Sequence, residues 1–304
     1  MKKKYHVKIN KENAGSRLDI AIIKIISDGL TRSLLKNHLL YLLVNNKNEK
    51  LSYKCRENDD VIFEIELENY ENIIPENIPL DIVYEDKNYL IINKKYNMVV
   101  HPAKGNLQGT VVNALLGTRK ELYMPDSKYK IGIVHRLDKE TSGLIIIAKN
   151  INSHQFLTDL FRNRKILKKY HAIVHGFFIP SYLIIENNIG RHPKFRKKMT
   201  VLNTGGKKSM TIIENVKHIK DYSYLDIKLV TGRTHQIRVH LLNYGFPIVG
   251  DKVYFQRNKN IIDIPLCLVS YRLSFFDKFS NKEINIEIED PPHIKNILLS
   301  KNNE

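Results

Sequence analysis

Gly132-Ile133-Val134-His135-Arg136-Leu137-Asp138-Lys139-Glu140-Thr141-Ser142-Gly143-Leu144-Ile145-Ile146-Ile147-Ala148-Lys149 opens apolar, passes through a polar loop and ends in an aliphatic run. Leu144 to Ile147 reads as a core strand, since four consecutive apolar residues leave neither face for water. Loops held by such strands are where reactive side chains tend to sit. Thr141 and Ser142 can hydrogen-bond nearby backbone and set the loop's shape. Gly143 permits a close approach that a β-carbon would block. Asp138 is the candidate reactive group, although these residues alone do not name a reaction.

On either side of this stretch, from about residue 80 onward, strand-like runs recur: IVYED, YLIINK, GLIIIAK, YHAIVHG, MTIIENV, YLDIKLV and INIEIE. Helical patterns are fewer, at about 109–116 and 153–163, the second with Phe156, Leu157, Leu160 and Phe161 in register. Many strands and few helices, not strictly alternating, predict an α+β domain on a largely antiparallel sheet. Gly205-Gly206 reads as a hairpin turn.

The first seventy residues have a different texture. Ser16 can cap a helix over 16–28 with Leu18, Ile22, Ile25 and Ile26 on one face, and Gly29 stops it. Thr31 can cap a second helix over 31–40. Two strand-like runs, YLLVN and DDVIFEIEL, follow with Asn-rich turn chemistry between them. Asp19 reads as a capping or packing residue. Residues 69–79 hold two prolines among polar spacers and read as a linker. The predicted organisation is a small domain over 1–70, a linker over 71–79, a large domain over 80–297 and a frayed tail over 298–304.

The chain has 304 residues, 42% of them hydrophobic, and a net charge of +17. Residues 161–220 carry 14 Lys or Arg against only Glu186 and Glu214. His192, Phe195 and Tyr170 are interleaved with these cations, which is the composition of an RNA groove. No stretch approaches the roughly 18 apolar residues that cross a bilayer. The start, Met1-Lys2-Lys3-Lys4-Tyr5-His6, lacks the apolar region of a secretory signal. Cys55 and Cys267 are far apart and make no metal-ligand spacing. His235 and His240 lack the i, i+4 spacing of a helical metal pair. There is no phosphate-binding or dinucleotide-binding Gly-rich motif. A cytoplasmic, cofactor-free, metal-free monomer with structured RNA as partner is the expectation.

HRLDKETSGL at 135–144 resembles the signature of the RluA/RluD-type pseudouridine synthases. Lys168-Lys169-Tyr170-His171-Ala172-Ile173-Val174-His175-Gly176 and Thr231-Gly232-Arg233-Thr234-His235-Gln236-Ile237-Arg238-Val239-His240-Leu241 resemble two further family segments, in the right order. The likeness runs from about Pro79 to Pro292. It implies a mostly antiparallel mixed sheet with flanking helices and a central RNA-binding cleft. The run from Ile189 to Met199 looks most like the RluD-type branch, which modifies large-subunit ribosomal RNA; neighbouring branches, which share the three motifs, modify other ribosomal sites or transfer RNA. The N-terminal features Ser16-Arg17-Leu18-Asp19, Thr31-Arg32-Ser33 and Val44-Asn45-Asn46-Lys47 resemble the small RNA-binding domain named after ribosomal protein S-four. Asn46 stands where that family usually has Gly, and Asn tolerates the left-handed backbone.

The resemblance implies roles. Asp138 matches the catalytic aspartate, which must be ionised to act. Arg233 matches the arginine that pairs with it. Tyr170 matches the tyrosine that stacks on the uracil and whose hydroxyl serves the later loss of the C5 proton. Arg136 matches the arginine that fills the place vacated when the target nucleotide leaves its stack. RNA contacts are also expected from His135, Thr141, Lys168, Arg191, Lys197, Lys198 and Arg238, and from Arg32 in the small domain. One departure is Leu268-Val269-Ser270-Tyr271-Arg272-Leu273, where many members have Leu-His-Ala. A glycosidase would need a second carboxylate flanking the bond. A non-catalytic ribosome-assembly factor would explain the charge but not Asp138, Tyr170 and Arg233 together.

Overall fold

The computed structural model describes residues 2–26, 30, 32–66, 73–103, 105–119, 122, 131–195, 197–255 and 264–300. The chain divides into two units, Met1–Asn72 and Ile73–Glu304.

The smaller unit comprises β1 (Lys2–Lys8), α1 (Leu18–Ile25), α2 (Arg32–His38), β2 (Leu39–Val44), β3 (Lys47–Asn48) and β4 (Asp60–Glu66). Its sheet is antiparallel in the order β1-β4-β2-β3. Leu18, Ala21 and Ile22 of α1 pack with Leu35, Val61, Phe63 and Ile65 into one core. Burying each such aliphatic side chain contributes about 1.5–3 kcal/mol. The helix begins at Leu18, not Ser16: the Ser16 hydroxyl instead donates to the Asn13 carbonyl at 2.6 Å. α2 gives way to β2 at Leu39, two residues before the expected end of the helix. Asn45 and Asn46 both have positive φ, 50° and 62°, and make the tight β2–β3 turn. Gly29 and Thr31, the expected stop and cap, lie outside the described residues.

Residues 73–79, within the expected linker, carry no helix or strand. This arm is pinned to the larger unit, because the Glu76 N–H donates to the Asn113 carbonyl at 2.9 Å and Asn113 Nδ2 donates to the Ile74 carbonyl at 2.8 Å. Residues 67–72 and the tail 301–304 lie outside the described residues.

The larger unit comprises β5 (Ile82–Glu85), β6 (Tyr89–Lys94), α3 (Val111–Thr118), β7 (Ser142–Ala148), α4 (Ile151–Arg162), β8 (Leu167–His175), β9 (Leu183–Arg191), β10 (Met199–Leu202), β11 (Lys207–Ile219), β12 (Tyr222–Leu229), α5 (Gln236–Asn243), β13 (Leu268–Asp277), β14 (Lys282–Glu287) and α6 (Pro292–Leu299). One sheet runs β10-β9-β11-β12-β8-β13-β7-β6-β5, with β14 on β13. Every pairing is antiparallel except β13 with β7. This is the mixed, mostly antiparallel sheet expected.

The parallel contact is short, Val269 beside Ser142 and Ser270 beside Gly143. A β-carbon on Gly143 would collide with the Ser270 backbone, so glycine is what lets β13 come in. Beyond that point the edge of β7 is covered by residues 132–135. The Ala148 N–H donates to the Gly132 carbonyl at 2.8 Å, Ile133 bridges Ile147, and the Ile146 N–H donates to His135 Nε2 at 2.9 Å. The chain then turns into the polar loop that leads back to Ser142.

The expected Gly205-Gly206 hairpin is corrected. β10 and β11 are not neighbours; β9 lies between them. The connection crosses β9 at Ile189-Gly190. A β-carbon on Gly206 would meet the Ile189 carbonyl, and one on Gly190 would meet Leu202. The glycines serve a crossing rather than a turn.

Candidate active site

The sheet register brings the distant motifs together. Tyr170 on β8 lies between Ile227 of β12 and Ser270 of β13. Ser142, at the start of β7, is beside Val269 of β13. The loop carrying Asp138 therefore meets the turn after β12, which carries Arg233, around the start of β8. These segments line a cavity of about 440 Å³ that includes Asp138, Tyr170, Arg233, Arg136, Lys168 and Leu268. Asp138 is the one carboxylate among its described lining residues.

Each wall has a local cause. The Thr141 N–H donates to the Asp138 carbonyl at 3.2 Å, closing the loop into a turn. Thr141 is buried at the cavity wall. Ser142 Oγ is buried with no hydrogen-bond partner, so Ser142 does not brace the loop as expected. Below the loop, Lys94 at the end of β6 is 1% exposed. Its ammonium donates to the carbonyls of Lys95 (2.9 Å), Met98 (2.8 Å) and Lys139 (3.3 Å). Burial pulls its pKa down to about 7, against the charges of Asp138 and Glu140.

On the facing side, the Gln236 side chain clamps the 231–235 turn to β11. Its Oε1 accepts from Thr231 Oγ1 (2.7 Å) and the Arg233 N–H (3.0 Å), and its Nε2 donates to the Met210 carbonyl (2.9 Å). The Arg233 guanidinium donates through Nε to the Lys208 carbonyl at 3.1 Å. Arg233 thus stands in the cavity with Asp138, but its recorded hydrogen bond is to backbone rather than to that carboxylate. Burial, then the charge of Asp138, pushes the Tyr170 phenol up to about 12, with a hydrogen bond to Ser270 opposing.

His135 and Arg238 line the cavity with polar atoms engaged inside the protein. His135 Nε2 is taken by the Ile146 N–H, its ring stacks on Phe161 with centroids 4.5 Å apart, and burial pulls its pKa to about 3. It is a neutral edge cap for β7. Arg238 is 1% exposed and grips Asp251 with two bonds of 2.7 and 2.8 Å and Glu140 with one of 3.1 Å. It ties α5 to the loop that carries Asp138. His240 is likewise structural, between Ser209 and Thr211.

The remaining expected contacts divide by position. Arg136 is exposed at the cavity. Lys168 lies over Phe161, 6.0 Å from the ring centroid, and burial with Arg164 nearby lowers its pKa to about 8. Arg191, Lys197 and Lys198 lie at the end of β9 and in the turn after it, outside the cavity lining. Arg196 lies outside the described residues. In the smaller unit, Arg32 and Arg17 both bond Asp19, which is therefore an anchor for two exposed guanidiniums and not a cap. Among the described residues no group of three or more His, Cys, Asp or Glu could hold a metal ion. Lys94, Gln236, Asp251 and Tyr254 were not singled out in the sequence. Only the place of Arg238 between Ile237 and Val239 could have pointed to a buried guanidinium with a carboxylate partner.

A family model described as RNA pseudouridylate synthase matches residues 88–243. An uncharacterized RNA pseudouridine synthase of Aquifex aeolicus is 36% identical over 299 residues, covering 94% of each chain. Ribosomal large subunit pseudouridine synthase D of Blochmanniella floridana is 41% identical over 264 residues, 83% of this chain and 79% of that one. The protein of that name from Escherichia coli is 39% identical over 250 residues, 81% and 74% of the two chains. The fold is similar to that of Human RNA Pseudouridylate Synthase Domain Containing 1, with a TM-score of 0.58 and 24% identity over 73% of this chain and 89% of that one. With a relative that covers 94% of it at 36% identity, and with its motifs gathered around Asp138, the chain belongs to the RNA pseudouridylate synthase family, which isomerises uridine to pseudouridine in RNA.

Proposed function

We propose that this pseudouridine synthase acts on large-subunit ribosomal RNA and that Asp138, Tyr170 and Arg233 carry the reaction. The observation behind the second part is that three segments far apart in sequence converge on one cavity where Asp138 is the only carboxylate among the described lining residues. The reaction breaks the N1–C1′ bond, turns the uracil and joins C5 to C1′. Asp138 acts on the sugar side, and Arg233 shifts from the Lys208 carbonyl to steady its charge when RNA enters. The Tyr170 ring stacks on the uracil. Burial and the charge of Asp138 keep the phenol protonated, so its hydroxyl serves the later loss of the C5 proton as a relay, releasing its own proton to water as it takes up the one from C5. Arg136 fills the place the uridine leaves.

Ribosomal RNA as substrate is supported by the names of the relatives from Blochmanniella floridana and Escherichia coli and by the cationic 161–220 segment. The smaller unit is read as an S-four-like RNA-binding domain on its paired helices, antiparallel strands and exposed Arg17 and Arg32. A cytoplasmic monomer working on a pre-ribosomal particle completes the reading; its two cysteines are free and buried, and no helix among the described residues is long and apolar enough to cross a membrane.

The test is pseudouridine mapping by carbodiimide block and primer extension on unmodified large-subunit ribosomal RNA and transfer RNA. The parent enzyme is expected to give stops on ribosomal RNA, and Asp138→Asn to lose about a thousandfold or more in rate while binding the same RNA. Stops on transfer RNA alone would move the substrate. Full activity of Asp138→Asn would remove the carboxylate from the mechanism.

A further inference from the structure

Outside the cavity, the turn from β9 into β10 is built around an exposed ring. Phe195 is 58% exposed. His192 organises the turn from inside: its Nδ1 accepts from the N–H groups of Lys194 (3.1 Å) and Phe195 (3.2 Å). The turn is closed twice more, by the His192 N–H on the Lys198 carbonyl and the Lys198 N–H on the Phe195 carbonyl, both 2.9 Å. The Phe195 ring leans on His192, centroids 5.0 Å apart, and Lys198 Nζ lies 5.8 Å from its centre. Lys194 and Lys197 are exposed beside it. These internal bonds fix the shape of the turn while the Phe195 ring stays open to solvent.

The turn is also anchored to the active site. The Met199 N–H, the first of β10, donates to the Tyr254 hydroxyl at 2.8 Å. The same hydroxyl is 2.8 Å from His235 Nδ1, and His235 lies between Thr234 and Gln236 of the cavity wall. Lys198 Nζ also sits 5.9 Å from the Tyr254 ring centre. One phenol therefore joins the base of the turn to the wall that presents Arg233.

We propose that the 192–198 turn is a second RNA subsite, in which Phe195 stacks on an unpaired base other than the target uridine while Lys194, Lys197 and Lys198 take the neighbouring phosphates. The proposal rests on the RNA-modifying reading above. The chemistry that fits a ring framed by cations, in a segment with almost no carboxylates, is a nucleobase with its phosphates, because it satisfies both at once. An acidic peptide would satisfy the lysines and leave the ring unused. Tyr254 then keeps the stacked base and the target nucleotide in one frame.

The experiment measures binding of an RNA that the parent enzyme modifies, across a salt series, for the parent, Phe195→Leu, Phe195→Trp and Lys198→Gln. Phe195→Leu is expected to weaken binding about tenfold with the salt slope unchanged, and Phe195→Trp to restore it. Lys198→Gln is expected to lower the slope of log K against log salt by about 0.7–0.9. Ultraviolet crosslinking of the parent should attach a nucleotide to the peptide holding Phe195. Binding by Phe195→Leu within twofold of the parent, or a leucine and a tryptophan variant equally weak, overturns the stacking subsite. A parent enzyme that neither binds nor modifies any RNA overturns the functional reading itself, and is told apart because it needs no variant.

Discussion

Lys94 is the cation closest to being a liability. It is buried where an ammonium is poorly solvated, and its three carbonyl acceptors hold together the 95–98 turn and the loop that carries Asp138. With its pKa lowered from 10.5 to about 7, the unfolded chain binds more protons than the folded one between those values, so this group makes stability rise with pH across that window. Below about pH 7 both states are protonated and the contribution is flat. Unfolding titrations of the parent and Lys94→Met at pH 7 and 9 should show the parent gaining on the variant by up to about 1.4 kcal/mol per pH unit. A difference independent of pH would place the folded pKa outside the window. His135 makes a second residue-level case. Its removal in His135→Ala leaves the Ile146 N–H without an acceptor in the covered edge of β7 and should cost about 2 kcal/mol in chemical denaturation. RNA affinity measured alongside should fall far less than in Arg136→Ala, since the ring's nitrogen faces the strand.

The elements that a sequence shows best are those with one wet face. β12 alternates strictly in burial from Tyr222 to Leu229, and α4 carries a capping box at Asn150 and Ser153 with Leu157 and Leu160 inside; both were legible from periodicity. β13 is buried on both faces except at Arg272 and Phe276, so it has no alternation to read, yet it joins the two halves of the sheet. α5 fails for the same reason: Gln236 to Leu241 are all buried, and its polar residues point into the protein. The motif containing α5 was visible as a string of residue types, but its division of labour was not. Arg233 and Arg238 are five residues apart; one faces the cavity wall and the other disappears into an ion pair, a difference set by Asp251, which comes from a separate loop. Asp251→Asn should therefore leave a buried guanidinium short of its partner and destabilise the larger unit by about 3–5 kcal/mol. Because Arg238 also holds Glu140, two residues from Asp138, turnover at permissive temperature should fall as well. Thermal unfolding and single-turnover rates on the same preparation separate the two effects, and a variant as stable as the parent would show that the ion pair is not what secures α5.

Across the molecule the charge is arranged as well as large. The surplus of +17 is concentrated in residues 161–220, which supply both Lys168 at the cavity and the 192–198 turn. The smaller unit adds its own pair of guanidiniums on Asp19, whose carboxyl their hydrogen bonds and charges hold below the usual range despite burial. A carboxylate that keeps two exposed arginines in fixed positions is useful when the arginines meet a phosphate backbone, because less side-chain freedom is lost on binding. Each unit has its own core, so removal of residues 1–72 should leave the remainder folded. The 73–304 fragment is expected to lose more in RNA affinity than in single-turnover rate, and the slope of log K against log salt should shrink by about 1–2, the signature of one or two lost phosphate contacts. Arg32→Gln in the full chain should reproduce part of that loss with a smaller change in slope. Equal affinity and equal slope for fragment and full chain would mean that the smaller unit does not touch the RNA, and that the clamp on Asp19 serves only its own fold.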